Sequence, residues 1–132
     1  MDDSILTSVK KLLGIPAEVT HFDMDLVMHI NSVFMILTQL GVGPSTGFAI
    51  SDASATWADF IPESSNLSGP VNFAIVKSYM GQRVKLLFDP PLASAVMEAT
   101  KQSVQELEWR LYVAADPIEE SEVKNQNGIL ES

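Results

Sequence analysis

The chain has 132 residues, 46% hydrophobic and 19% charged, with 17 acids against 8 bases for a formal charge of −9. That suits one domain with a single apolar core, and so acidic a balance argues against an autonomous DNA-binding module, which rests on clustered Lys and Arg. The lack of cysteine excludes a disulfide scaffold, a thiolate nucleophile, an iron–sulfur site and a Cys-type zinc site, and fits a reducing compartment.

The start Met1-Asp2-Asp3-Ser4 is acidic and is not that of a signal peptide. Its first periodic stretch predicts a helix near 3–13. Ile5, Leu6, Val9, Leu12 and Leu13 form the stripe, and Asp2, Asp3, Lys10 and Lys11 complement the dipole. Gly14 suits a left-handed end with Ile15 folding back on Val9, and Pro16 stops the helix. A second helix is predicted over 20–40. Thr20 and Asp23 read as a capping box and Val19 and Met24 as a hydrophobic staple. Val27, Ile30, Phe34 and Leu37 make its seam, and Gly41-Val42 suits a Schellman end. Met24, Met28, Met35 and Ile36 fall outside the seam, so this helix is expected to bury a second face, as the centre of the domain or as part of a subunit interface, and its methionines are read foremost as core.

Residues 42–66 change character. Gly43-Pro44 and Gly47 are turn formers. Residues 47–60 can form a short hairpin, or Ala55–Phe60 one helical turn, anchored by Phe48, Trp57 and Phe60. A helix near 70–88, starting at Ser68 to Asn72, carries Val76, Met80, Val84 and Leu87 on one face. Its Gly81 invites close approach by a neighbouring helix. Asp89-Pro90-Pro91 ends it. A last helix near 93–113 has the seam Met97, Thr100, Val104, Leu107 and Leu111, with Glu106 and Arg110 paired at i, i+4. The expected core is Val27, Ile30, Phe34, Leu37, Val84, Leu87, Val104, Leu107 and Leu111. Residues 116–132 hold 5 acids and Lys124 and read as a flexible acidic tail. The domain reading is thus 1–115 as one helical unit and 116–132 as tail. The longest uninterrupted apolar run, Val33–Leu37, is far too short to span a membrane. The protein is expected to be soluble and intracellular.

Catalytic constellations are not evident. There is no phosphate-cradling glycine loop, no Gly-x-Ser-x-Gly and no His-Glu-x-x-His. His21, Asp25 and His29 lie at i, i+4 and i+8. Neighbouring pairs can share an ion, but the outer two are about 12 Å apart along a helix. Helix-start carboxylates and an Asp25–His29 hydrogen bond account for them better than metal binding. No catalytic residue, metal site or cofactor is assigned. Lys77, Arg83 and Lys85 are the candidate basic patch, read foremost as a solvated or ion-paired helix side.

Several blocks, taken together, resemble the head–tail connector (adaptor) proteins of long-tailed phages and prophages of Gram-positive bacteria. They are Thr20-His21-Phe22-Asp23-Met24-Asp25, Met28-His29-Ile30-Asn31-Ser32-Val33-Phe34 and Leu37-Thr38-Gln39-Leu40-Gly41-Val42-Gly43-Pro44. Ala55-Thr56-Trp57-Ala58-Asp59-Phe60-Ile61, Val76-Lys77-Ser78-Tyr79-Met80, Arg83–Pro91 and Glu106-Leu107-Glu108-Trp109-Arg110-Leu111 extend the likeness over roughly residues 1–113. The resemblance implies an all-α, four-helix connector-type bundle with a long irregular loop between helices two and three. It also implies a non-enzymatic virion protein at the head–tail junction, in the host cytoplasm during assembly. Such proteins form a ring matched to the portal, commonly twelvefold. The ring joins the portal to the next head-completion or tail protein, and DNA passes through without sequence-specific binding. On that reading Met24, Met28, Met35, Trp57 and Phe60 are the candidate subunit interface, and Trp109, Leu111 and Tyr112 the candidate portal contact. No membrane partner is implied. The rival readings are a small acidic regulator or DNA mimic, and an enzyme using His21, Asp25 and His29.

Overall fold

A computed structural model describes residues 4–61 and 70–114, and within them the fold is all-α. Its helices are α1 (Ile5–Leu13), α2 (Asp23–Gln39), the single turn α3 (Trp57–Phe60), α4 (Pro70–Phe88) and α5 (Ser94–Ala114). The expectations placed on Asp2, Asp3 and the tail 116–132 lie outside the described residues. The 47–60 hairpin is replaced by an irregular run into α3, and the one bridge between extended residues joins Ser4 to Thr56.

Helix ends follow local chemistry where glycine is involved. Gly14 takes φ 79°, and the N–H groups of Gly14 and Ile15 reach the Lys11 and Lys10 carbonyls. Val42 N–H likewise reaches the Leu37 carbonyl at 2.8 Å and Gly41 N–H the Thr38 carbonyl at 3.0 Å, the paired bonds of a Schellman end. The start of α2 differs from expectation. Thr20–Asp23 forms a turn, Phe22 occupies the cap position, and no side chain caps the helix. The Asp23 carboxylate is instead held at 2.9 Å by Lys10 Nζ. Met24 is 81% exposed and does not staple Val19. A capping box does occur, at Thr56 and Asp59, where it starts α3.

The core lies between α1, α2 and α4. Ile30, Phe34, Leu37, Val84, Val104 and Leu111 are buried as expected. Val27 and Leu107 are only partly so. Leu87 is 47% exposed, a correction to the expected seam: beyond Val84 the buried line of α4 passes to Phe88, whose ring meets Phe22 at 5.4 Å. Phe34 is the hub. Its ring centroid lies 5.0 Å from that of Phe48, 4.6 Å from Phe60 and 6.4 Å from Trp57, and Trp57 reaches Phe73 of α4 at 6.1 Å. Trp57 Nε1 also donates to Ser8 Oγ at 2.9 Å, tying α3 to α1. Asn31 of α2 holds the irregular run in place, since its side chain accepts from Ile50 N–H at 2.8 Å and donates to the Ile50 carbonyl at 3.0 Å.

Lys10 is a second hidden tie. It is 3% exposed, and its ammonium donates to the Ala17 and Val19 carbonyls at 3.0 and 2.6 Å besides pairing with Asp23. A buried cation is tolerable only with its donors satisfied in this way. α5 stands apart from this arrangement: it packs along α4 and supplies just two buried residues, Val104 and Leu111.

Truncating Phe34→Ala should cost about 3–5 kcal/mol in chemical denaturation, because Phe48, Trp57 and Phe60 lose their common partner. Two glycine substitutions should diverge in the same assay. Gly43 has φ +87°, and a Cβ there would overlap the buried Phe60 ring, so Gly43→Ala should destabilise by about 2–4 kcal/mol. At Gly81 a Cβ would meet only the end of the exposed Leu12 side chain, 2.7 Å from Cδ1. Leu12 can swing aside, so Gly81→Ala should be neutral or stabilising by up to ~1 kcal/mol.

Candidate functional site

Two uncovered apolar surfaces stand out, one on α2 and one on α5. On α2, Met24, Met28 and Met35 project from a narrow stripe, within about 40° of one another at 100° per residue. They are 81%, 67% and 66% exposed. Beside the first two lies a hollow of about 200 Å³ lined by Leu6, Met24, Val27, Met28, Asp52 and Ala53. Its far wall is the 51–53 segment, which follows directly from Ile50 and so is positioned by Asn31. Ser54 donates to Asp52 Oδ1 through both its hydroxyl and its backbone N–H, at 2.5 and 2.9 Å. Those bonds hold the Asp52 carboxyl below its usual range, so the rim of the hollow is anionic at neutral pH.

The expected subunit interface therefore divides. Its three methionines are at the surface. Trp57 and Phe60 are corrected to core residues, fully enclosed in the Phe34 cluster, because α3 turns both rings inward. The expected portal contact divides too. Trp109 is 63% exposed and Tyr112 is exposed beside it, their rings 6.3 Å apart. Leu111 is completely buried against the core and offers no contact surface. Arg110 lies between them and pairs with Glu106 at 2.6 Å, as the spacing predicted.

One polar clasp fastens α5 to α4. Tyr79 Oη donates to Glu108 Oε2 at 2.7 Å, and Arg83 Nη2 donates to the same oxygen at 2.7 Å. Arg83 Nε in turn donates to Tyr79 Oη at 3.2 Å. Burial pushes the Tyr79 hydroxyl up to about 12; the Arg83 hydrogen bond opposes the rise and the Glu108 bond adds to it. The clasp lies along a groove of about 400 Å³ between the two helices, lined also by Leu86, Met97, Lys101 and Gln105.

The other singled-out residues do not converge. His21 precedes α2 rather than lying on it, and its ring packs on Phe22 at 4.1 Å. His29 meets the Phe88 ring at 6.3 Å. Among the described residues no three His, Cys, Asp or Glu side chains gather as metal ligands. The basic patch is dispersed. Lys77 sits over the Phe73 ring at 5.0 Å, Arg83 is in the clasp, and Lys85 pairs with Asp89 at 3.4 Å. Lys10, Asn31 and Glu108 were missed by pattern reading, because each acts through a partner remote in sequence. Tyr79 and Arg83, at i and i+4 beside an apolar seam, were the one visible hint of the clasp.

A family model described as phage connector protein matches residues 5–117. No curated protein and no solved structure matches the chain.

The clasp gives a pH dependence of definite sign. An acid whose pKa rises on folding holds its proton in the native state while the unfolded chain loses it. Stability is thus full below about pH 10 and declines as pH rises from 10 to about 12. Denaturation midpoints of Tyr79→Phe should decline less over that window than those of the parent chain.

Proposed function

This chain belongs to the phage connector protein family, and we propose that it joins the portal of a phage head to the next head-completion or tail protein as a ring with an open DNA channel. As a member of that family it is a structural phage protein. The observation that carries the finer reading is a division of surfaces. A core fixed by Phe34 leaves Leu12 of α1 and Leu87 of α4 uncovered singly, and groups of apolar residues uncovered on two separate helices, α2 and α5. A soluble monomer exposes few such groups together, whereas a ring subunit needs two different patches, one for each neighbour, and another surface for the next ring.

On this reading Met24, Met28 and Met35 belong to the contact between copies. Methionine suits such a contact, since its unbranched thioether adapts to an imperfectly matched neighbour. Trp109 and Tyr112 belong to the contact with the portal, where large rigid rings give most area for least ordering cost. The acidic balance has a place as well. Exposed Glu18, Asp25, Asp59 and Glu98 leave parts of the surface anionic, and an anionic wall lets DNA pass without adhering. No step of chemistry is required of any residue.

The test is binding to purified portal, with electron microscopy of the complex. A closed ring seated on the portal is the expected image. Trp109→Ala with Tyr112→Ala should weaken that binding by about 10-fold or more, the scale of hot-spot aromatics. The melting temperature should hold, since both side chains are exposed. A chain that stays monomeric with portal present would overturn the ring.

A further inference from the structure

We infer that the methionine ridge of α2 seats in the α4–α5 groove of a second copy of this chain, with Asp25 of one copy against Lys101 of the other. This rests on the ring reading above and specifies the contact that would build it. Three observations point to it. The first is placement. α4 packs on both α2 and α5, so it lies between them, and the exposed methionines face away from it. Ridge and groove therefore belong to different flanks of the molecule, as a head-to-tail contact requires.

The second is length. From Met24 to Met28 the ridge rises about 6 Å along α2, and from Lys101 to Gln105 the groove runs the same ~6 Å along α5, so a parallel fit sets Asp25 by Lys101 and Met28 by Gln105. Leu86, Met97 and Val104 line the groove together with the polar Arg83, Lys101, Gln105 and Glu108, and it is open along its side. Its volume of about 400 Å³ has room for a row of side chains, which the smaller hollow beside Met28 lacks.

The third is charge. Asp25 is exposed one turn from Met28, and Lys101 is exposed one turn from Met97. Neither is among the ion pairs of the described residues, whereas Arg83, Lys85 and Arg110 are each engaged within the chain. The cation left open in the groove thus has an open anion beside the ridge, about 60° round α2 from Met28.

The chain has no cysteine, so single thiols report the contact cleanly. Met28→Cys and Gln105→Cys chains are mixed under mild oxidation, free and bound to portal. A disulfide joining position 28 of one copy to position 105 of another is expected in the mixture, and none in either variant alone. Asp25→Lys and Lys101→Glu should each weaken self-association by about 10-fold in light scattering. The double variant should regain most of the loss, with helicity unchanged throughout. Rings that form without the mixed link, or Met28→Cys chains that link to themselves, would overturn this contact and leave the ring standing. A chain that never self-associates, even on the portal, would overturn both.

Discussion

The fold depends on the contacts of one side chain. Phe34 sits in the middle of α2 and gathers Phe48, Trp57 and Phe60, rings from a segment with little regular structure of its own. That segment is long for a connection in a small domain, and without such anchoring its backbone would gain nothing for the entropy lost on ordering. The rings do the ordering, and two polar ties fix the register: Asn31 on Ile50, and Trp57 on Ser8. Because Trp57 also touches Phe73, the same cluster sets α1, α2 and α4 relative to one another. The conformation of the connection and the arrangement of the helices are therefore one problem with one solution.

α5 obeys a different constraint. Pro90 and Pro91 break the chain after α4, and the helix that follows lies along a single neighbour. Val104 and Leu111 supply its apolar hold, and the Tyr79–Arg83–Glu108 clasp adds direction. Those three groups satisfy one another, so a partly buried polar contact is obtained without stranding a donor or a charge. One-sided packing leaves the rest of α5 at the surface. For a solitary protein that would be wasteful of apolar side chains. In the proposed portal contact it keeps Trp109 and Tyr112 in place on a rigid element rather than on a loop.

What could be read from the sequence, and what could not, divides by range. The ends of α1 and α2 at Gly14 and Gly41 were legible, because the information lies within a few residues and only glycine adopts the left-handed turn cheaply. The Glu106–Arg110 pair was legible for the same reason. The start of α2 was misread, since Thr20 and Asp23 have capping-box spacing but Lys10, thirteen residues away from Asp23, captures the carboxylate. Leu87 was misplaced because spacing alone continues the seam from Val84 to it, whereas the packed line of α4 passes to Phe88 against Phe22. Trp57 and Phe60 were assigned to an interface because aromatic residues in a long loop signal burial without saying whether the burying partner is the same chain. The clasp and the Asn31 tie were invisible, as both join elements that no spacing rule relates. The methionines of α2 were recognised as lying off the seam, but reading them as core does not hold, since all three are exposed.

The composition of the two uncovered surfaces carries the last step. Had α2 carried leucine or isoleucine at 24, 28 and 35, the exposed face would be as apolar but stiffer, and would demand one closely fitting partner. Methionine keeps the apolar character while its three rotatable bonds let the contact settle at slightly different angles. The ring proposed above would impose that need: every subunit contact must accommodate the same closure, and small errors add around the circle. α5 shows the opposite choice, with an indole and a phenol ring held at 6.3 Å on a fixed helix face. Rigid aromatic groups lose little freedom on binding and so favour one orientation. In the proposed ring, an adaptable surface toward its own copies and a rigid one toward the portal is the combination that would let a small acidic protein match its symmetry to a ring it did not build.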